Sequence, residues 1–247
     1  CGIGTHCHPW NTPPLRENMS NHNSMLCNLP YELIYEKLKT LHQAIVDDWG
    51  VTPICFRAGR WGFGKNVARS IHELGYKIDT SVTPFSDWRE YEGPDFSDAA
   101  TDRYFFHPDS ILNADVNGCL MELPPTIGFL QNDFSRCRWL RKLIITSKLS
   151  RLHLIGILDR LRILNLRWLS PELCSGMDMI GLSKACIRNG CRYLNMSFHS
   201  TSLMPGMSPF VRSDKDLEIF LGNIRMFLEF AYENKLMFVP LDDALVN

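Results

Sequence analysis

Nowhere in the 247-residue sequence do about 18 apolar residues run together, so it offers no good membrane-spanning helix. It has no excess of one charge. The 26 Lys and Arg stand against 27 Asp and Glu, a balance that argues against nucleic acid as the main partner. The nine cysteines are odd in number, scattered, and without a Cys-x-x-Cys pair. That pattern suits reduced thiols and a cytoplasmic protein better than a secreted disulfide framework. There are no internal repeats and no low-complexity linkers. Ordinary globular composition also excludes collagen-like, coiled-coil and disordered classes, and the length suits one domain, 1–247, with one substantial core. Finally, no Met, charged leader or apolar signal core precedes Gly2-Ile3-Gly4-Thr5, which already reads as a strand end. The expectation is a domain incomplete at its N-terminus, lacking its first strand, with any targeting signal outside it.

What is present is chemistry at strand ends. Thr5-His6-Cys7-His8-Pro9-Trp10 places two imidazoles two residues apart, and in an extended strand that spacing turns both rings to one face. Two such rings can form two thirds of a zinc site, leaving room for a carboxylate and a water. Cys7 lies between them, but on a strand it faces the other way, which predicts a buried free thiol. Near the far end, 194–199 alternates as a strand that delivers His199 into the hydroxyl-rich loop Ser200-Thr201-Ser202. Between the two, an apolar strand ends on Arg57 and enters the glycine-laced, aromatic loop Gly59-Arg60-Trp61-Gly62. His22, His42, His72, His107 and His153 have no converging partners and are read as surface or core residues.

The periodicity predicts a helix from about Pro30 to Trp49, capped by Asn28 and closed by Gly50, with Leu33, Ile34, Leu38, Leu41, Ile45 and Val46 facing inward. A strand over 54–57, a helix over 66–74 stopped by Gly75, and a strand over 77–82 follow. The range 84–108 reads as acidic, aromatic loop and 118–123 as a strand. Helices over 178–189 and 213–234 should each precede a strand, at 192–198 and 236–239. This βαβ rhythm predicts an α/β protein with parallel strands and right-handed crossovers. Functional residues at strand ends point to a (β/α) barrel.

The segment 136–167 stands apart. It holds nine Lys and Arg and one acid, Asp159, leaving 17 basic and 26 acidic side chains for the rest of the chain. Two readings fit it. A pair of solvated helices packed on the barrel is one. A basic amphipathic surface, lying peripherally on an anionic membrane or holding a lipid-linked or acidic glycan, is the other.

Together these motifs resemble the polysaccharide deacetylase family, the NodB-type fold of carbohydrate esterase family 4. The resemblance runs over nearly the whole chain. It rests on Ile3-Gly4-Thr5-His6-Cys7-His8, Arg57-Ala58-Gly59-Arg60-Trp61, Asp79-Thr80-Ser81 with Asp87-Trp88, and Phe198-His199 followed by Ser-Leu and Pro-Gly. It implies a distorted (β/α)7 barrel and a divalent metal, zinc by its ligand type. It also implies hydrolysis of C–N bonds other than peptide bonds, or of the corresponding esters, on a bacterial surface polysaccharide, a lipid-linked glycan or a precursor. In that scheme His6 and His8 hold the metal and His199 is the acid. Asp79 or Asp87 bonds His199, Arg57 tunes the base, and Trp10, Trp61, Trp88 and Ser200 meet the sugar. The histidine pair here is closer than in the family, and the first-motif aspartates have no counterpart in 1–247. The chain in this form is therefore expected to be hydrolytically inactive.

Each residue has a structural alternative: Arg57 paired with a structural carboxylate, Asp79 ending its strand in a turn, the tryptophans in ordinary core. At the level of function, the alternatives are a non-catalytic glycan-binding relative and an amide hydrolase for small cyclic or purine-derived substrates.

Overall fold

The computed structural model describes residues 2–147 and 154–245, so His153 and part of the basic segment lie outside the described residues. Two compact units result: Cys1–Pro124 with Phe238–Asn247, and Pro125–Met237.

The first unit is built on a five-stranded sheet of β1 (Thr5–Cys7), β2 (Cys55–Ala58), β3 (Ile78–Asp79), β4 (Tyr104–Phe106) and β5 (Leu120–Glu122). Its order is β1-β2-β3-β5-β4. The first four in that order are parallel, and β4 closes the edge antiparallel to β5. Helices α1 (Tyr31–Trp49) and α2 (Lys65–Glu73) make the crossovers, as the βαβ rhythm requires. Helix α1 turns Ile34, Lys37 and Leu38 inward and ends on Gly50, whose φ of 64° is the left-handed conformation glycine accepts without a Cβ penalty. Its N-cap is Pro30 rather than Asn28. Asn28 instead spends its side-chain amide on the carbonyls of His22 and Glu92, bridging two loops. Phe56, Phe63, Val67, Ile71, Tyr76 and Phe106 fill the core between sheet and helices.

The second unit pairs β6 (Ile127–Phe129) with β7 (Leu166–Trp168) in antiparallel register. Around them stand α3 (Phe134–Thr146), α4 (Leu154–Arg160), α5 (Gly176–Arg188) and α6 (Asp214–Glu233). Helix starts follow local chemistry. Ser175 caps α5 through the Asp178 N–H, and Ser213 with Asp216 forms a capping box on α6.

The class is α/β with a mostly parallel five-stranded sheet. Several local expectations are corrected. Residues 192–198 form no strand: Asn195 exchanges bonds with Thr126 and Ser197 donates to Leu169, contacts too intermittent for a ladder. Residues 236–239 form none either, and Met237, Phe238 and Val239 are exposed. An apolar run sets a preference for extended backbone, but a strand needs a partner's N–H and C=O groups. Conversely, β4 lies inside the range read as loop, because three residues are too few to display a period.

Candidate functional site

Strand β1 buries Thr5 and Cys7 and leaves His6 outside, as two-residue alternation demands. Cys7 is a fully buried free thiol, its pKa pushed up to about 11 by burial. The Nε2 atoms of His6 and His8 approach to 3.0 Å, with the rings edge to face. Nδ1 of His6 lies 3.0 Å from the carbonyl oxygen of Arg57, its register neighbour on β2. A carbonyl only accepts, so Nδ1 carries the hydrogen and Nε2 accepts that of His8 Nε2 with the lone pair a metal ion would take in its place. Two nitrogens about 2.0–2.1 Å from one tetrahedral ion stand roughly 3.3 Å apart, so the pair fits a metal as two of its ligands. Among the described residues no set of three or more His, Cys, Asp or Glu converges.

The pair is held from behind and from the side. A Cβ on Gly59 would lie 2.2 Å from the His8 ring, so only glycine lets the β2 end come this close. Trp10 packs on His8 with centroids 4.3 Å apart. The loop carrying Trp10 is pinned by Lys37, a fully buried lysine of α1. Its Nζ donates to the carbonyls of Pro9 (3.0 Å), Thr12 (2.7 Å) and Pro14 (2.7 Å) and pairs with Glu17 at 2.8 Å.

Arg57 leaves the end of β2 with Nε donating to Thr80 Oγ1 at 2.9 Å and its guanidinium 5.4 Å from the Trp61 ring centroid. Burial lowers its pKa, and the negative charge of the Asp79–Glu122 pair, Asp79 foremost, opposes that. Arg60 and Trp61 take consecutive left-handed conformations, φ 54° and 60°, a strained turn that sets Trp61 beneath the arginine. Asp79 and Glu122 are register neighbours on β3 and β5, both completely buried. Asp79 accepts from the Ser81 N–H (3.0 Å) and hydroxyl (2.7 Å), and Glu122 accepts from the Val82 N–H (3.1 Å). Burial raises both carboxyl pKa values, Glu122's furthest because Asp79's charge and hydrogen bond add to desolvation. Asp79, with the richer set of donors, carries the charge, and Glu122 holds the proton.

Asp87 is occupied by Arg89, whose Nη2 lies 2.6 Å away, an exposed pair that lowers the Asp87 pKa. Trp88 donates through Nε1 to Thr83 at 2.8 Å and packs on the core of the first unit.

His199 belongs to the second unit, and the partner expected for it changes. Nδ1 lies 3.0 Å from Glu172 Oε2, and its backbone N–H donates to Oε1 at 2.9 Å. Asp79 and Asp87 have the partners described above instead. The carboxylate also accepts from the Ser202 hydroxyl, which is bonded in turn to Ser208. Glu172 is only 3% exposed at its side chain, while the His199 imidazole is 65% exposed and stacks on Phe210 at 6.1 Å. Ser200 begins a short exposed turn, and Ser202, two residues on, is the buried hydroxyl of this network. Beside Glu172 a cleft of about 340 Å³ opens, lined by Leu173, Phe210, Val211, Ile219 and Phe220 among others.

Glu122, Glu172, Ser202 and Lys37 were not singled out by the sequence. Glu122 had a signal, as the one acid in an apolar strand. Lys37 had one too, since it falls on the inward stripe between Ile34 and Leu38. Glu172 sits in an irregular loop and gave none. No family model matches the chain, and no curated protein or solved structure matches it.

Proposed function

We propose that the protein is a metal-dependent carbohydrate deacetylase of the polysaccharide deacetylase type, with the distorted (β/α)7 barrel that this implies. Its substrate would be an N- or O-acetylated bacterial surface polysaccharide or a precursor. The observation that carries the reading is the convergence of His6 and His8 Nε2 at 3.0 Å, with the His6 tautomer set for a ligand by the Arg57 carbonyl. His6 and His8 would hold the ion. When bound, a zinc ion supplies an acidified water and polarises the acyl carbonyl.

The chain's own residues would supply further parts of that chemistry. His199 bonds Glu172 through Nδ1, so in the acid role that the resemblance assigns to it Nε2 would be the proton-giving atom. The indole of Trp10, beside the histidines, offers an apolar face for a sugar ring. Arg57, fixed by Thr80 and Trp61, supplies a positive charge at the β2 end. The first-motif carboxylates that the resemblance assigns as third ligand and base have no counterpart in 1–247.

A second reading, a non-catalytic glycan binder, is favoured by one observation: among the described residues no third ligand joins the histidines. Calorimetric zinc titration of the chain beside His6→Ala and His8→Ala tests the first reading. Saturable binding weakened by both substitutions supports it, and binding indifferent to both overturns it. Acetate release from acetylated oligosaccharides, assayed with a strand carrying the first-motif carboxylates supplied ahead of the chain, then separates the enzyme from the binder, which would retain oligosaccharide and release none.

A further inference from the structure

Trp10 serves two neighbours. Its indole packs on His8 with centroids 4.3 Å apart, and it also lines a pocket of about 130 Å³ with Leu15, Asn18, Ser20 and Asn23 among others. Apart from Trp10, every lining residue comes from the loop 15–24, within the first unit.

That loop is held in shape without a ligand. Asn23 donates its N–H to Ser20 Oγ at 3.0 Å and its Nδ2 to the Asn18 carbonyl at 2.9 Å. Arg60, in the turn after β2, donates to Ser24 Oγ at 2.6 Å. Lys37 holds the Glu17 carboxylate, and Met25 and Leu26, which follow the loop, are buried. A site ordered in advance loses less entropy on binding.

The lining selects the occupant. Glu17 is its one charged residue and is paired with Lys37, so the wall presents no cation to a phosphate or carboxylate and no unpaired anion to an amine. The Asn18 carboxamide and the Trp10 Nε1–H have no partner among the described residues, and the Asn23 side-chain oxygen has none either. A carboxamide both donates and accepts, as a hydroxyl does. An aromatic surface edged by such groups matches a neutral ring that is apolar on its face and hydroxylated around its perimeter. The volume lies below the roughly 300–1,000 Å³ that encloses a drug-sized ligand, so it takes one ring of a longer chain.

We propose that Trp10 and the loop 15–24 form a subsite for one neutral pyranose ring of an oligosaccharide, seated against the indole with its hydroxyls on the Asn18 and Asn23 side chains. This deepens the deacetylase reading and rests on it for the choice of a saccharide. The subsite sits one side chain from the histidines, through Trp10.

The test is titration of the full chain in EDTA, followed by tryptophan emission and by the indole N–H resonance of Trp10, assigned through its loss in Trp10→Phe. The probes are the trimer of N-acetylglucosamine, its cationic de-N-acetylated form, trigalacturonate and adenosine. The neutral trimer should bind and shift the Trp10 resonance, and the other probes should bind roughly tenfold more weakly or not at all. Trp10→Ala should lower affinity roughly tenfold or more, while Trp10→Phe, which keeps a flat ring, should lower it less. Asn18→Ala should lower it roughly three- to tenfold, the worth of one hydrogen bond. Asn18 is exposed and its side chain holds nothing in place, so this variant does not depend on how a Trp10 variant folds.

The proposal is overturned if the neutral trimer fails to bind, if it binds without moving the Trp10 resonance, or if Asn18→Ala binds it as the parent does. Tighter binding of a charged trimer or of adenosine also overturns it. Because zinc is absent throughout, failure here is distinct from failure of the zinc titration, which bears on the histidines alone.

Discussion

Glu172 grips His199 twice, its Oε2 at 3.0 Å from ring Nδ1 and its Oε1 accepting the backbone N–H at 2.9 Å. One nearly buried carboxylate thus fixes both the rotamer and the tautomer of an exposed imidazole, and Ser202 and Ser208 hold the carboxylate in turn.

Replacing Glu172 with Ala should therefore remove an acceptor from the Ser202 hydroxyl and from the His199 amide together. Urea unfolding is expected to show a loss of about 1–3 kcal/mol. His199→Ala, by contrast, removes an exposed ring and should change stability by less than about 1 kcal/mol. Equal losses in the two variants would deny Glu172 the supporting role.

Gly59→Ala places a Cβ 2.2 Å from His8 Nδ1 and 2.7 Å from the Cys7 carbonyl oxygen. The His8 ring must move, and zinc affinity measured by calorimetry should fall at least tenfold. Gly222→Ala, in α6 with nothing within 4 Å, is the control and should stabilise by roughly 0.5–1 kcal/mol.

Lys37→Met removes the ammonium from three carbonyls and leaves Glu17 without its cation. Breaking a buried pair on one side costs about 3–5 kcal/mol, to be read as a shift in urea midpoint at constant slope. Adding Glu17→Gln should recover part of that loss, because the uncompensated carboxylate goes with it.

Glu122 holds a proton that the unfolded chain would release in the ordinary glutamate range. Its raised pKa contributes stability that is complete at and below that range and is lost as pH rises through the folded value. Glu122→Gln keeps the shape and a donor but does not titrate. The parent should therefore lose stability relative to this variant between pH 5 and pH 9, by at most about 1.4 kcal/mol per pH unit. Parallel urea stability curves for the two proteins across that range would show that Glu122 is not the proton holder.

The first unit was largely legible in the sequence. Two helices with clean inward stripes, each stopped by a glycine in positive φ, forced the strands between them to run parallel. Alternation alone turned His6 outward and Cys7 inward. The second unit was not legible in the same way. Strands β6 and β7 are three residues each and lie far apart in sequence, so no local period announces them. His199 was readable as a reactive residue, but its partner was not. Glu172 stands 27 residues away in an irregular loop, where nothing in the pattern separates it from any other surface acid.

Lys37 has a consequence for how this protein could diversify. Because the carbonyls of Pro9, Thr12 and Pro14 and the carboxylate of Glu17 all meet one ammonium, the loop bearing Trp10 has its length counted out against a fixed peg. Insertions or deletions there would pull acceptors off the peg. Exchanges at its outward positions, Asn11, Pro13 and the 62% exposed Leu15, would leave it untouched. The rim beside the histidines can be repainted residue by residue, but it cannot be resized.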